Sequence, residues 1–230
     1  MTYVYNGRAR KSATTPSHPG NLGKLVILTG TPGAGKSTTA GAIAQLEKWV
    51  YYDGDGFLFG YNPFLESTSE EVALIGPGMA QRWKAFKDLC SNGEQLEAKT
   101  TTDRSPTNHF YRMMAEDIKK ERERVGGDWV VASHIEDRIL RDIFREVLDD
   151  AIFVVLEISY DLVKERLYGR EKERGIVDRW RIVNYLLSHH PKFELAQADE
   201  PRTVGFKILR ESTEEENARA ILDLVNKAIA

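Results

Sequence analysis

Residues 30–37 read Gly30-Thr31-Pro32-Gly33-Ala34-Gly35-Lys36-Ser37, the spacing G-x-x-x-x-G-K-[ST]. Its glycines open backbone torsions that other residues avoid. Successive N–H groups can then turn inward around phosphate oxygens. A helix beginning near Lys36 would add its positive N-terminal end. Lys36 would bring a cation to the β- and γ-phosphates, Ser37 a hydroxyl to Mg²⁺, and Thr38 continues the loop into the helix. The chemistry expected here is the binding and activation of ATP with Mg²⁺.

A second cluster follows Trp49-Val50-Tyr51-Tyr52, as Asp53-Gly54-Asp55. In an open α/β sheet, ligands bind beyond the carboxyl ends of the strands, so these carboxylates should share a cleft with the loop. Phosphoryl transfer to a hydroxyl needs a carboxylate near the nucleophile and charge near the metal. Asp55 is the candidate base or acceptor orienter and Asp53 the candidate partner of Mg²⁺, with the two roles exchangeable. Asp-Gly pairs are also ordinary turn formers.

These groups need a scaffold. Leu25-Val26-Ile27-Leu28 is continuously apolar, as a strand buried on both faces must be. Further strands are expected at 49–52, 129–132, 152–156 and 204–209. Helices are expected at 36–46, 108–124, 137–149, 161–170, 178–188 and 214–228, with Gly126-Gly127 as a helix stop. The alternation predicts an α/β fold of the P-loop NTPase kind: a five-stranded parallel sheet with helices on both faces. Residues 1–23, rich in Ser, Thr, Pro and Gly, read as a flexible tail ahead of one domain over 24–230. Within that domain, 57–107 and 170–185 read as a substrate cap and a lid.

Bulk properties narrow the function. The chain has 230 residues and a net charge of −3, which gives no broad basic field for nucleic acid. No apolar run has the length of a membrane span. One cysteine, Cys90, cannot form an internal disulfide, in keeping with a reduced, cytoplasmic setting. The partner expected is a small-molecule phosphoryl acceptor, with a homodimer compatible and neither nucleic acid nor membrane involved.

Over most of residues 24–225 the chain resembles gluconate kinase, within the shikimate-kinase-like group of P-loop kinases, themselves similar in fold to nucleoside monophosphate kinases. The resemblance rests on Leu28-Thr29-Gly30 through Thr38, on Asp53-Gly54-Asp55, and on Val131-Ala132-Ser133 through Arg138 with Arg141-Asp142-Ile143-Phe144-Arg145. It continues over Phe153-Val154-Val155-Leu156, Tyr160 to Leu167, Leu186-Leu187-Ser188, Phe193-Glu194-Leu195 and Glu200-Pro201. It implies a kinase acting on a sugar acid. The family's His, Asn and Lys-Met after D-x-D are replaced here by Gly56 to Asn62, of which Asn62 alone matches. Its Asp-Arg-x-Pro recurs further downstream as Asp103-Arg104-Ser105-Pro106, and its Lys-Arg pair is replaced by Asp137-Arg138. Asn62, Arg104 and Arg138 are accordingly candidate acceptor contacts.

Glu165-Arg166-Leu167-Tyr168-Gly169-Arg170 also resembles the helix before the lid of nucleoside monophosphate kinases, which implies Arg166 over the adenine and Arg170 on phosphate. Their i, i+4 spacing puts both on one helix face, which equally suits a helix ending in cations. Arg174 and Arg179 read as solvated surface. His134 is either a site residue or a packed one. His189-His190 is a weak metal signal, because neighbours on a helix diverge and no matching ligands stand nearby in sequence. Trp83, Trp129 and Trp180 read as packing. Two other functions remain open: a nucleoside or nucleoside monophosphate kinase, suggested by the arginine pair, and a nucleotide-dependent switch or scaffold, suggested by the short D-x-x-G at Asp53–Gly56.

Overall fold

The computed structural model describes residues 3–5, 8–10, 22–54, 105–173 and 179–229. The strands are β1 (Tyr3–Tyr5), β2 (Arg8–Arg10), β3 (Leu22–Gly30), β4 (Val50–Asp53), β5 (Gly127–Ala132), β6 (Ile152–Glu157) and β7 (Thr203–Lys207). The helices are α1 (Lys36–Glu47), α2 (Ser105–Val125), α3 (Arg138–Val147), α4 (Tyr160–Glu173), α5 (Arg179–Ser188) and α6 (Glu214–Ile229), with a 3₁₀ turn at His190–Lys192. They form one sheet in the order β2-β1-β4-β5-β3-β6-β7.

The central five strands are mutually parallel. Counted along the chain they run 2-3-1-4-5, the arrangement of a P-loop NTPase, and they are the five parallel strands that the alternation of elements predicts. β3 lies in the middle, and its residues from Leu25 onward are buried because helices cover both faces. On one face Val26, Leu28 and Tyr51 pack with Ile43 of α1 and Ile221 of α6. On the other, Ile27, Tyr52 and Val131 pack with Ile118 of α2 and Phe144 of α3. Each such side chain contributes on the order of 1.5–3 kcal/mol by leaving water. Trp129 is fully buried and donates its indole N–H to Gly126 O at 3.0 Å, which fits the packing role expected of it. Gly126, at φ 70°, ends α2 where a helix stop was predicted.

The tail expected over 1–23 differs from what is found at its described positions. β1 and β2 form an antiparallel hairpin, and β1 extends the sheet in parallel beside β4, with Tyr3 opposite Tyr51 and Val4 opposite Tyr52. The physical reason is the edge of β4, whose outer backbone groups need a partner. Tyr3-Val4-Tyr5 has the aromatic and β-branched side chains suited to one. β3 also starts earlier than expected, at Leu22. The cap assigned to 57–107 lies outside the described residues up to 104, and 105–107 belong to α2 rather than to an insertion. The described parts of the 170–185 segment are helical: the end of α4 and most of α5. Val183 and Leu187 of α5 pack on Val163 and Leu167 of α4. Among the described residues, no helix is long and apolar enough to cross a membrane.

The register aligns the carboxyl ends of three strands. Asp53 of β4 stands opposite Ala132 of β5, which stands opposite Leu28 of β3. Gly30, Asp53–Gly54 and Ser133–His134 therefore emerge along one edge.

Candidate active site

The loop between β3 and α1 adopts the left-handed torsions its glycines allow. Gly33 has φ 85° and Gly35 φ 90°, and Ala34 N–H bonds Thr31 O at 3.1 Å. Gly35 is the N-cap of α1 and, as a glycine, offers no side-chain cap of its own. The N–H groups of a helix's first turn have no partner within the helix, which is what suits such an end to an anion. Ser37 and Thr38 are exposed at this end. Thr31 Oγ1 is buried with no hydrogen-bond partner among the described residues, a further polar atom that a ligand at the loop could satisfy.

Lys36 folds back over the loop. Its ammonium donates to Gly30 O at 2.8 Å and to Thr31 O at 3.1 Å. Helix α4 closes the other side. Gly33 is favoured by its φ, and a Cβ there would stand a tight 3.2 Å from Leu167 and in ordinary contact, 3.5 Å, with Val163. A Cβ on Gly35 would stand 3.4 Å from a guanidinium nitrogen of Arg166, which also reaches Ala34 O at 3.5 Å. Val163, Arg166 and Leu167 thus present one face of α4 to the loop, as i, i+3 and i+4 spacing allows. Arg170 lies one turn further along α4 and is half-buried.

Asp53 is half-buried at the end of β4, and the next residue explains why the chain stays close there. A Cβ on Gly54 would lie 2.6 Å from Ser133 Oγ and 2.9 Å from Ala132 O, so only glycine lets β4 run this near β5. Asp55, Asn62, Arg104 and Arg174 fall outside the described residues, as do Trp83, Cys90 and the side chains of Arg179 and Trp180. Arg138 begins α3, where its guanidinium bonds Asp199 at 2.9 Å and Gln197 at 2.8 Å. Its charge is matched there by a neighbouring carboxylate.

Several contacts at this edge carry no sequence motif. Thr29 Oγ1 donates to Ile135 O at 3.0 Å and accepts from Ile135 N at 2.9 Å, which ties the β5–α3 loop to the base of the phosphate loop. His134 Nδ1 lies 3.1 Å from Gly30 O, the carbonyl that Lys36 also engages. Burial pushes the His134 pKa down and the Lys36 charge pushes it further, against the Gly30 carbonyl and Glu136, to about 4. The ring is therefore neutral at pH 7. Glu136 Oε1 lies 3.6 Å from His189 Nδ1, and that ring holds the Glu136 carboxyl below its ordinary range against the opposing effect of burial. His190 turns away and bonds Ile158 O at 2.9 Å, so the two neighbouring histidines diverge as expected. The groups that stand near His189 in space, His134 and Glu136, come from the β5–α3 loop, 55 and 53 positions earlier. No local spacing links the two segments, which is why the sequence alone does not pair them.

A family model described as an AAA domain matches residues 26–181. No curated protein matches the chain. Among solved structures the fold is similar to a gluconokinase from Sinorhizobium meliloti 1021, at 22% identity over 90% of this chain and 94% of that one, with a TM-score of 0.56. It is similar to a sugar kinase from Janibacter sp. HTCC2649, at 20% identity over 89% and 95%, with a TM-score of 0.58. It is also similar to a shikimate kinase from Bacteroides thetaiotaomicron, at 14% identity over 88% and 98%, with a TM-score of 0.50. At these identities the likeness is one of fold.

Proposed function

The chain belongs to the AAA-domain family, and from that premise we propose that it transfers the γ-phosphoryl group of ATP to a hydroxyl of a small polar metabolite. One observation carries the reading: the N-terminus of α1 at the glycine N-cap Gly35, with the Lys36 ammonium folded across the same loop and Arg166 closing it from α4. This is a cationic cradle for a polyphosphate, made of backbone donors and two side chains.

Bound Mg²⁺–ATP would supply the electrophilic phosphoryl group. Lys36 and the N–H groups of residues 30–38 would hold its phosphates, with Lys36 matching charge that grows in transfer. The exposed Ser37 hydroxyl would ligate Mg²⁺, and Asp53 would hold a water of that ion. Arg166 would lie against the base or phosphates, and Arg170 would neutralise charge on the transferred group. Asp55 would orient or deprotonate the acceptor, with Asn62, Arg104 and Arg138 as acceptor contacts. The 170–185 segment would act as a lid that excludes water, and the packing of α5 on α4 supports that role. The cap over 57–107 would choose the acceptor.

A sugar acid is the first acceptor to test, on the resemblance to gluconate kinase and the likeness in fold to a gluconokinase. The placement of Arg166 over the loop also suits a nucleoside or nucleoside monophosphate acceptor, or a nucleotide-dependent scaffold with no acceptor. The test is ADP release from Mg-ATP against sugar acids, shikimate, nucleosides and nucleoside monophosphates, with Lys36→Ala as control. One acceptor giving Lys36-dependent turnover supports the reading and identifies the substrate. ATP binding with no response to any acceptor would overturn it in favour of the scaffold.

A further inference from the structure

Three potential metal ligands meet beside the phosphate loop without serving it. His134, Glu136 and His189 each place one donor atom within 4.8 Å of the other two, the one such group among the described residues. They come from two segments of chain. His134 and Glu136 flank Ile135, whose side chain is fully buried and whose backbone is held by Thr29 on both its N–H and its carbonyl. His189 follows α5, and its segment is fastened to the same loop by Glu194 N–H donating to Glu136 O at 2.9 Å. Arg141 reinforces this fastening by donating to Glu194 O at 3.1 Å. The backbone on both sides is thus fixed by bonds that do not involve the three donor groups.

The hydrogen bond on His134 bears on its chemistry. Gly30 O can only accept, so Nδ1 must carry the proton and Nε2 presents a lone pair. A ring N–H donating to a backbone carbonyl is the arrangement that metal-ligating histidines keep, because it sets tautomer and ring orientation. Two imidazoles and one carboxylate form a donor set suited to zinc, with a fourth position left open. Magnesium prefers oxygen ligands and suits this set poorly. Tetrahedral zinc at the usual bond lengths of about 2.0–2.1 Å spaces its ligands roughly 3.3 Å apart. The group would therefore close by up to about 1.5 Å, within reach of side-chain rotation at the half-buried Glu136 and His189. The nearby Lys36 ammonium opposes a second cation, and the Glu136 carboxylate offsets that repulsion.

We propose that His134, Glu136 and His189 form a site for a divalent cation of the zinc class, separate from any Mg²⁺ carried on Ser37. The site is next to the first residue of the phosphate loop, since His134 and Lys36 share the Gly30 carbonyl.

The experiment uses the full chain without a histidine tag, stripped by chelator and titrated with Co²⁺ as a spectroscopic stand-in for Zn²⁺, with no nucleotide present. One equivalent of Co²⁺ should give the visible absorption of a low-coordinate site, and Zn²⁺ should displace it. His189→Ala and Glu136→Gln should each weaken binding by at least about 10-fold. His190→Ala and Lys36→Ala should keep the spectrum, the first because that ring faces Ile158 and the second because the ion is not the nucleotide's. Circular dichroism establishes that each variant is folded. Should Glu136→Gln fail to fold, the partly exposed His189 decides alone. A wild-type chain that gives no such spectrum, or a spectrum unchanged in folded His189→Ala, overturns the proposal. Neither result depends on ATP or an acceptor, so the proposed kinase activity stands or falls separately.

Discussion

Arg141 of α3 and Glu200 ahead of β7 form an ion pair whose two side chains are wholly enclosed, 59 positions apart in the chain. Two guanidinium nitrogens meet the two carboxylate oxygens at 2.6 and 2.9 Å. Arg145 adds a third bond to Glu200 at 2.6 Å, while its guanidinium lies 4.8 Å from the Phe153 ring centre. The same Arg141 reaches Glu194 O, so this pair anchors the segment that follows His189 to α3, the helix that follows the His134 loop.

Breaking that pair from one side should be costly. Arg141→Met leaves the buried Glu200 with Arg145 still bonded to it, so the loss should approach but not reach the roughly 3–5 kcal/mol of a fully orphaned buried charge. Urea unfolding should show that loss, and a double variant with Glu200→Leu should recover part of it, because a buried pair can be replaced by apolar packing.

The same carboxylate makes stability depend on acid. Burial raises the Glu200 pKa, but the hydrogen bonds and charges of Arg141 and Arg145 outweigh it and hold it at about 2, against an ordinary 4.5. A pKa depressed in the folded state adds stability that is fully present above the unfolded value. It is lost as pH falls from about 4.5 toward 2, as the unfolded chain takes up the proton first. Unfolding midpoints measured across that window should fall in the wild type and flatten in Glu200→Gln, which starts lower.

Lys36→Ala should lower turnover by about 10²–10³-fold or more, the loss expected when a preorganised charge is removed from a transferring phosphoryl group. The melting temperature should change little, since the Lys36 hydrogen bonds to Gly30 O and Thr31 O stay within its own loop. Equal loss of activity and of fold would mean that Lys36 acts as a structural brace.

Gly54→Ala should destabilise the chain by about 1–3 kcal/mol, the usual cost of overpacking. The new methyl would meet the backbone carbonyl of Ala132 at 2.9 Å as well as the Ser133 side chain. Pairing Gly54→Ala with Ser133→Gly should recover only part of the loss, because Ala132 O cannot be trimmed away.

Short-range order was legible in the chain itself. The phosphate loop, the apolar run at Leu25–Leu28, the stop at Gly126 and the order of strands and helices follow from residues a few positions apart. Backbone torsion, periodicity and helix ends are local physics. The i, i+4 spacing of Arg166 and Arg170 pointed to a shared face, and Arg166 stands over the loop. The strands Tyr3–Tyr5 and Arg8–Arg10 fall where the sequence reads as tail, because pairing with β4 depends on an edge that exists only once the sheet has formed.

The amino-acid sequence by itself determined a doubly covered parallel sheet and a loop able to hold phosphates. Tertiary structure alone decided that His134 bonds the Gly30 carbonyl, that Glu136 meets His189 and that Arg141 locks onto Glu200. Each of those pairs joins residues more than fifty positions apart. Nothing in their local spacing announces a contact that only the crossover connections of the sheet bring about.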